Sequence, residues 1–171
     1  MNKEKILKES FDLINEVGLE AFSMRKLADR LKCKPASIYY YYPTKNEIMN
    51  ELFYQKFMMF FDDEDVDCSN IKDHLTTLCH KVLKNRDEYL FIIKYNRCNF
   101  LDNENVKCMN LKTQKKREQI KKFFEDTKFS EVDHILIMGP VKELAFANKN
   151  LNGEQVNDLV NGIIKSLERS K

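Results

Sequence analysis

Two short amphipathic stretches joined by only three residues constrain this chain more than any other feature in it. Met24, Leu27, Ala28 and Leu31 recur at three- and four-residue spacing, which lays an apolar stripe along one short helix. Ser23 stands before it as an N-cap, its hydroxyl placed to accept from the free N–H groups of the first turn. Lys32, Cys33 and Lys34 form the connection, and Pro35 follows with the fixed φ suited to the first position of a second helix. A link that short makes the two helices cross steeply, which is the helix-turn-helix geometry: one helix lies across a duplex backbone while the other enters a major groove. In the second helix, Ala36 permits close approach and Ile38 and Tyr42 pack inward. Ser37, Tyr39, Tyr40 and Tyr41 take the remaining faces.

Charge gathers at the same place. From Met24 to Asn46 six basic residues (Arg25, Lys26, Arg30, Lys32, Lys34, Lys45) stand against Asp29 alone, a local charge of +5 in a chain whose net charge is +2. Phosphate neutralisation with counterion release supplies much of nucleic-acid affinity, so such a concentration suits a polyanion. A charge run by itself describes a solvated helix face equally well. Four consecutive tyrosines beside it favour contact, because at least two of them must face solvent or a partner and their hydroxyls bond phosphate oxygens.

The motifs resemble the DNA-binding domain of the TetR-type bacterial transcription regulators. That pattern is a small hydroxyl residue, a Leu/Ile-Ala pair, a short turn, a Leu/Ile-Tyr-aromatic run and a closing Ser/Thr-Lys-x-Glu. Here Ser23, Leu27-Ala28, Ser37-Ile38-Tyr39-Tyr40-Tyr41-Tyr42 and Thr44-Lys45-Asn46-Glu47 supply it, and the likeness runs from about Ile6 to Phe57. Two positions depart: the family usually has Gly at Lys32 and Ser or Thr at Lys34. The first departure asks Lys32 to take an uncommon backbone conformation, and the second removes the usual cap of the recognition helix. The resemblance implies phosphate contacts from Ser23, Tyr39, Tyr41 and Lys45. Lys34, Pro35, Ala36, Ser37, Tyr40 and Arg25 complete the DNA-facing set, with Arg25 the best base reader because a guanidinium bonds guanine O6 and N7 together.

The flanking segments read as supports. A helix from about Lys3 to Val17 presents Leu7, Phe11, Ile14 and Val17 inward, widened by Ile6 and Leu13, and stops at Gly18 as a left-handed cap. Pro43 ends the recognition helix, and Thr44 with Glu47 forms a capping box opening a fourth helix that extends to about Phe61. The acidic run from Asp62 to Asp67 reads as a solvated loop. It lacks the alternating ligands and the Gly of a calcium-binding loop.

Only four Gly and three Pro occur in 171 residues, and no strand-like alternation follows that run. Five more helices are expected, over Ser69–Lys84, Arg86–Phe100, Asn103–Thr127, Ser130–Lys149 and a last one carrying Val156 to Leu167. Gly139-Pro140 is placed to kink the fourth of these. The fold class is therefore all-α, about nine helices, with a helix-turn-helix domain over 1–46 joined by a linking helix to a regulatory and dimerisation domain over 47–171.

The last two helices carry more apolar surface than one packed partner needs, which calls for a second copy of the chain. Ile135, Met138, Phe146, Val156, Leu159, Val160, Ile163, Ile164 and Leu167 form the expected dimer interface. The resemblance implies an unknown small-molecule effector held by the carboxyl-terminal helices, with Tyr89, Phe91, Tyr95, Phe100, Met109, Phe123, Phe124 and Met138 as candidate lining. The implied function is a ligand-responsive regulator, a repressor binding a near-palindromic DNA operator as a homodimer. The alternative is a co-regulator of the same fold acting through a protein partner.

Other classes find little in the chain. Its longest apolar run, Phe57 to Phe61, is too short to cross a bilayer and its first residues make no signal segment, so a cytoplasmic location is expected. Five cysteines without a CxxC pair suit reduced thiols. No cofactor or metal is expected, because His74, Cys79 and His80 do not share a helical face and His134 stands apart. No Ser-His-Asp order or phosphate-cradling Gly loop points to an enzyme.

Overall fold

Asn2 starts the first element: its side chain accepts from the Lys5 N–H at 2.9 Å, and α1 (Lys3–Val17) runs from there to Gly18. Gly18 ends it at φ +85°, a backbone that disfavours any side chain, while its N–H reaches the Ile14 carbonyl at 2.8 Å. Its ψ of 162° carries the chain beyond the left-handed helical cap that the sequence led us to expect. Beyond it lie α2 (Met24–Leu31), α3 (Pro35–Tyr39), α4 (Lys45–Phe61), α5 (Ile71–Lys84), α6 (Arg86–Arg97), α7 (Asn103–Phe123), α8 (Glu131–Phe146) and α9 (Gly153–Arg169). This computed structural model describes residues 1–61, 70–97, 101–123, 131–147 and 151–169, with no side chain described at 116, 117, 119–123, 131–136 and 169. Among the described residues the fold is all helix, with no strand. The acidic run at 62–67, Cys68 and Cys98 lie outside them, as does the side chain of His134.

The chain packs as two compact units. Met1–Phe57 with Phe91–Val106 make the first, and Met58–Leu90 with Lys107–Lys171 the second.

In the first unit, Ile6, Leu7, Phe11, Leu13 and Ile14 of α1 are buried as their periodicity predicts, together with Leu27, Ile38, Ile48 and Leu52. Val17 is a correction: it is 38% exposed, because it sits on the last turn where the chain departs at Gly18. An aromatic chain completes this core. Phe11 meets Phe91 edge-on at 5.8 Å, Phe91 stacks on Tyr95 at 5.7 Å, and Tyr95 lies 5.8 Å from Phe53.

In the second unit, α5, α8 and α9 pack against one another. Leu75, Cys79 and Val82 of α5 meet a layer built from Ile137, Val141, Leu144 and Ala145 of α8 and Val156, Val160, Ile163 and Leu167 of α9. This revises one expectation. Four of the α9 residues assigned to a second copy are buried by the chain itself, since an apolar stripe shows that a helix needs a partner without saying which. Leu159, Ile164 and Met138 are half-buried, and Phe146 is 46% exposed. The Ile135 side chain lies outside the described residues. Helix α8 continues through Pro140, and the Arg86 guanidinium donates to the Ala145 carbonyl at 2.7 Å.

Two buried acids sit in this unit. Burial pushes the Cys79 thiol up to about 11; burial, with Cys79 next, pushes the Tyr89 phenol up to about 12. Both are protonated and neutral in the fold, so the stability they lend is complete below pH 9 and is lost as pH rises through about 11 to 12. Thermal melts across that window should show Cys79→Val losing less stability than the parent chain; parallel curves would refute the assignment.

Candidate nucleic-acid interface

The α2–α3 pair is built by local chemistry legible one residue at a time. Ser23 Oγ accepts from the Lys26 N–H at 3.3 Å, so α2 begins where its cap sits. At its other end Lys32 adopts φ 53°, ψ 44°, the left-handed conformation, and its N–H together with that of Cys33 satisfies the Asp29 and Ala28 carbonyls at 3.2 and 3.0 Å. A side chain in that region costs about 1–2 kcal/mol, which the missing Gly leaves uncompensated. Lys34 then precedes Pro35 with no side-chain cap, as its lack of a hydroxyl predicts.

Ile38 is wholly buried and anchors this five-residue helix against α2. Around it Pro35, Ala36 and Ser37 are exposed, Tyr39 is 47% exposed and Tyr40 84%. So large an aromatic left in solvent is uncommon on a free surface. Arg25, Lys32 and Lys34 are exposed and form no ion pair among the described residues. Lys32 belongs with this group although it was not among the predicted contacts. Its membership of the basic cluster and its place in the turn were the signals for it.

Other members of the basic cluster are already engaged. Arg30 bonds Glu9 at 2.8 Å and Glu16 at 2.7 Å, tying α2 to α1. The Lys26 ammonium reaches the Ala21 carbonyl at 2.9 Å. Tyr41 donates its hydroxyl to the Met1 carbonyl at 2.8 Å while its ring meets Tyr40 edge-on at 5.1 Å. Tyr42 is buried as expected, and its hydroxyl meets no partner at hydrogen-bonding geometry. Burial, and next the Glu51 carboxylate, hold that phenol well above its ordinary range.

Lys45 is half-buried in the first turn of α4, which Thr44 caps by accepting from the Glu47 N–H at 3.2 Å. The Lys45 ammonium donates to the Phe22 carbonyl at 2.7 Å and the Leu19 carbonyl at 3.4 Å, and stands 5.5 Å from the centre of the Phe22 ring. Two of its three donors thus satisfy the α1–α2 connection, leaving one for a phosphate. Lys45→Met is expected to cost about 1.5 kcal/mol of stability, the scale of a charged hydrogen bond, measured by urea unfolding. A midpoint equal to that of the parent chain would show that the carbonyls gain nothing from it.

The predicted effector-lining residues fall elsewhere. Tyr89 is buried in the second unit, 5.0 Å from Phe60 edge-on, whereas Phe91 and Tyr95 belong to the aromatic core of the first. Their aromatic spacing reports core packing. Met109 and Met138 are half-buried in the second unit; Phe100, Phe124 and the side chain of Phe123 lie outside the described residues. Among the described residues no group of His, Cys, Asp and Glu is arranged to hold a metal ion, and no helix is long and apolar enough to cross a membrane.

Residues 6–52 match the family model described as "Bacterial regulatory proteins, tetR family". The class G tetracycline repressor protein of Vibrio anguillarum is 31% identical over 52 residues, which are 30% of this chain and 25% of that protein. The chain thus spans about a quarter of the length of the curated relatives it matches. By fold, it resembles the TetR family regulator PfmR of Thermus thermophilus, with a TM-score of 0.68 at 16% identity over 94% of this chain and 97% of that one. It is equally similar to the ketosteroid transcriptional regulator KstR2 of Mycobacterium tuberculosis, with a TM-score of 0.68 at 13% identity over 94% and 93% of the two chains.

Proposed function

We propose that this chain, TetR-type in its amino-terminal domain and in its all-helical fold, is a transcription regulator that reads duplex DNA through α2 and α3. One observation carries the reading. Tyr39 and Tyr40 stand in solvent at α3, Arg25, Lys32 and Lys34 are exposed on α2 and the turn, and the other two cations of α2, Lys26 and Arg30, are bound internally. Aromatic hydroxyls and unpaired cations together suit a phosphate backbone and the groove beside it.

Arg25, Pro35, Ala36, Ser37 and Tyr40 are the groove-facing set. Ser23, Lys34 and Tyr39 take phosphates, joined by the one donor that Lys45 has left; Tyr41 can join them only by giving up its O–H bond to the Met1 carbonyl. Residues 1–46 form the reading head and 47–171 the regulatory part. A homodimer would present two heads to successive major grooves, about 34–36 Å apart on a near-palindrome. Of the residues expected at the dimer interface, Phe146, Met138, Leu159 and Ile164 keep apolar surface uncovered by the second unit, and they are the ones offered to a second copy. Release of the operator by a small molecule, and hence repression, follows the pattern of the family; the tetracycline repressor carries both in its name.

The test is selection of bound fragments from the source genome with purified protein, followed by gel-shift titration at two salt concentrations. Recovery of an inverted repeat, bound as a dimer with falling affinity at the higher salt, is the expected result. Failure to enrich any sequence would favour the co-regulator that acts through a protein partner.

A further inference from the structure

Helices α1 and α2 both end on a positive φ, and the chain fills the two places differently. Gly18 closes α1 at φ +85°, whereas Lys32 closes α2 at φ 53°, ψ 44°. Among the described residues, Lys32 is the one non-glycine at positive φ. That backbone penalises a Cβ, and glycine is free of the penalty.

The fold gains little from a lysine there. Its N–H bonds the Asp29 carbonyl at 3.2 Å, a bond that any residue except proline would make. Its side chain is exposed and forms no hydrogen bond or ion pair among the described residues, not even with Asp29. A cation near a helix C-terminus meets the dipole favourably, but Arg30 already stands in the last turn of α2.

Its position offers another use. Lys32 opens the connection into Pro35, and the amino-terminal residues of a recognition helix are those that reach base edges. Residues just ahead of them border the groove, where the phosphates of one strand run. Backbone strain persists at such places when the side chain is needed more than the relaxed turn.

We infer that Lys32 is a further phosphate contact, retained at the expense of fold stability: its ammonium neutralises a phosphate at the rim of the major groove, where a glycine would make the firmer turn. This rests on the duplex-reading role of α2 and α3.

The full chain and three variants are compared by urea unfolding and by the fluorescence anisotropy of a labelled random-sequence duplex at several salt concentrations. Lys32→Gly should unfold at higher urea than the parent chain, because the left-handed turn no longer carries a Cβ. It should nonetheless bind about fivefold more weakly at about 0.1 M salt, with the slope of log affinity against log salt reduced by about 0.9. Lys32→Gln keeps a side chain and drops the charge, so it should share the weaker binding without the gain in stability. Lys32→Arg should match the parent in both. Stability and affinity moving in opposite directions is a result that a merely structural lysine would not give.

Parent-like slopes in both Lys32→Gly and Lys32→Gln would overturn the inference and leave the duplex-reading role standing. A lower urea midpoint for Lys32→Gly would overturn it too, as would a slope lost in Lys32→Gly but kept in Lys32→Gln, which assigns the effect to the backbone. A parent chain that binds no duplex at any salt would instead remove the duplex-reading role, and this contact with it.

Discussion

An Ile38→Ala chain is expected to lose about 2–5 kcal/mol of stability, the range for truncating a fully buried aliphatic side chain. Ile38 is wholly buried and is the one buried residue of α3, a helix of five residues. Small proteins are stable by about 5–15 kcal/mol, so this single deletion removes a large fraction of the total. Urea unfolding should report it as a lowered midpoint, and duplex binding should fall with it because the helix no longer stays in place. Ser37→Ala, one position earlier and exposed, supplies the comparison, with a change within about 0.5 kcal/mol. Equal midpoints for the two variants would mean that α3 is held by something other than its buried isoleucine.

The second large effect divides two kinds of contact. Arg25→Ala should cost about 1–3 kcal/mol on the preferred operator and relax preference at one base pair, the signature of lost bidentate readout. Lys34→Ala should instead weaken binding to every sequence alike and reduce the slope of log affinity against log salt by about 0.9. Both side chains are exposed, and neither forms an ion pair among the described residues, so these substitutions leave the fold intact. Gel shifts on the operator and on scrambled duplex, each at several salt concentrations, separate the outcomes. If Arg25→Ala loses affinity equally for both duplexes, its guanidinium touches phosphate and the base-reading role belongs to another residue.

Much of this architecture is written locally and was legible for that reason. Ser23, Pro35 and Thr44 act on backbone groups within three residues of themselves, so their identities place the helix starts. Lys32 in the position of a glycine announced its own left-handed turn.

What could not be read depends on partners distant in the chain. Arg30 counts as one positive charge among six in the sequence, yet the two glutamates it bonds lie 21 and 14 residues upstream. Lys45 is spoken for by carbonyls 23 and 26 residues away, and Tyr41 by one at a separation of 40. Periodicity had the same limit. Val156, Val160, Ile163 and Leu167 form a correctly predicted stripe, but its direction, toward α5 and α8 rather than a second chain, is a tertiary fact.

The double engagement of Arg30 has a practical corollary for any salt titration of this protein. Added electrolyte screens the outer, Glu16 arm of the clasp between the first two helices more than its half-buried Glu9 arm, and screens the attraction to a polyanion too, so dissociation at high ionic strength mixes detachment with loosening of the reading head itself. Helicity recorded in the same tube fixes the upper salt limit: below the concentration at which it begins to drift, the affinity plot counts phosphates, and above it the plot counts unfastened heads.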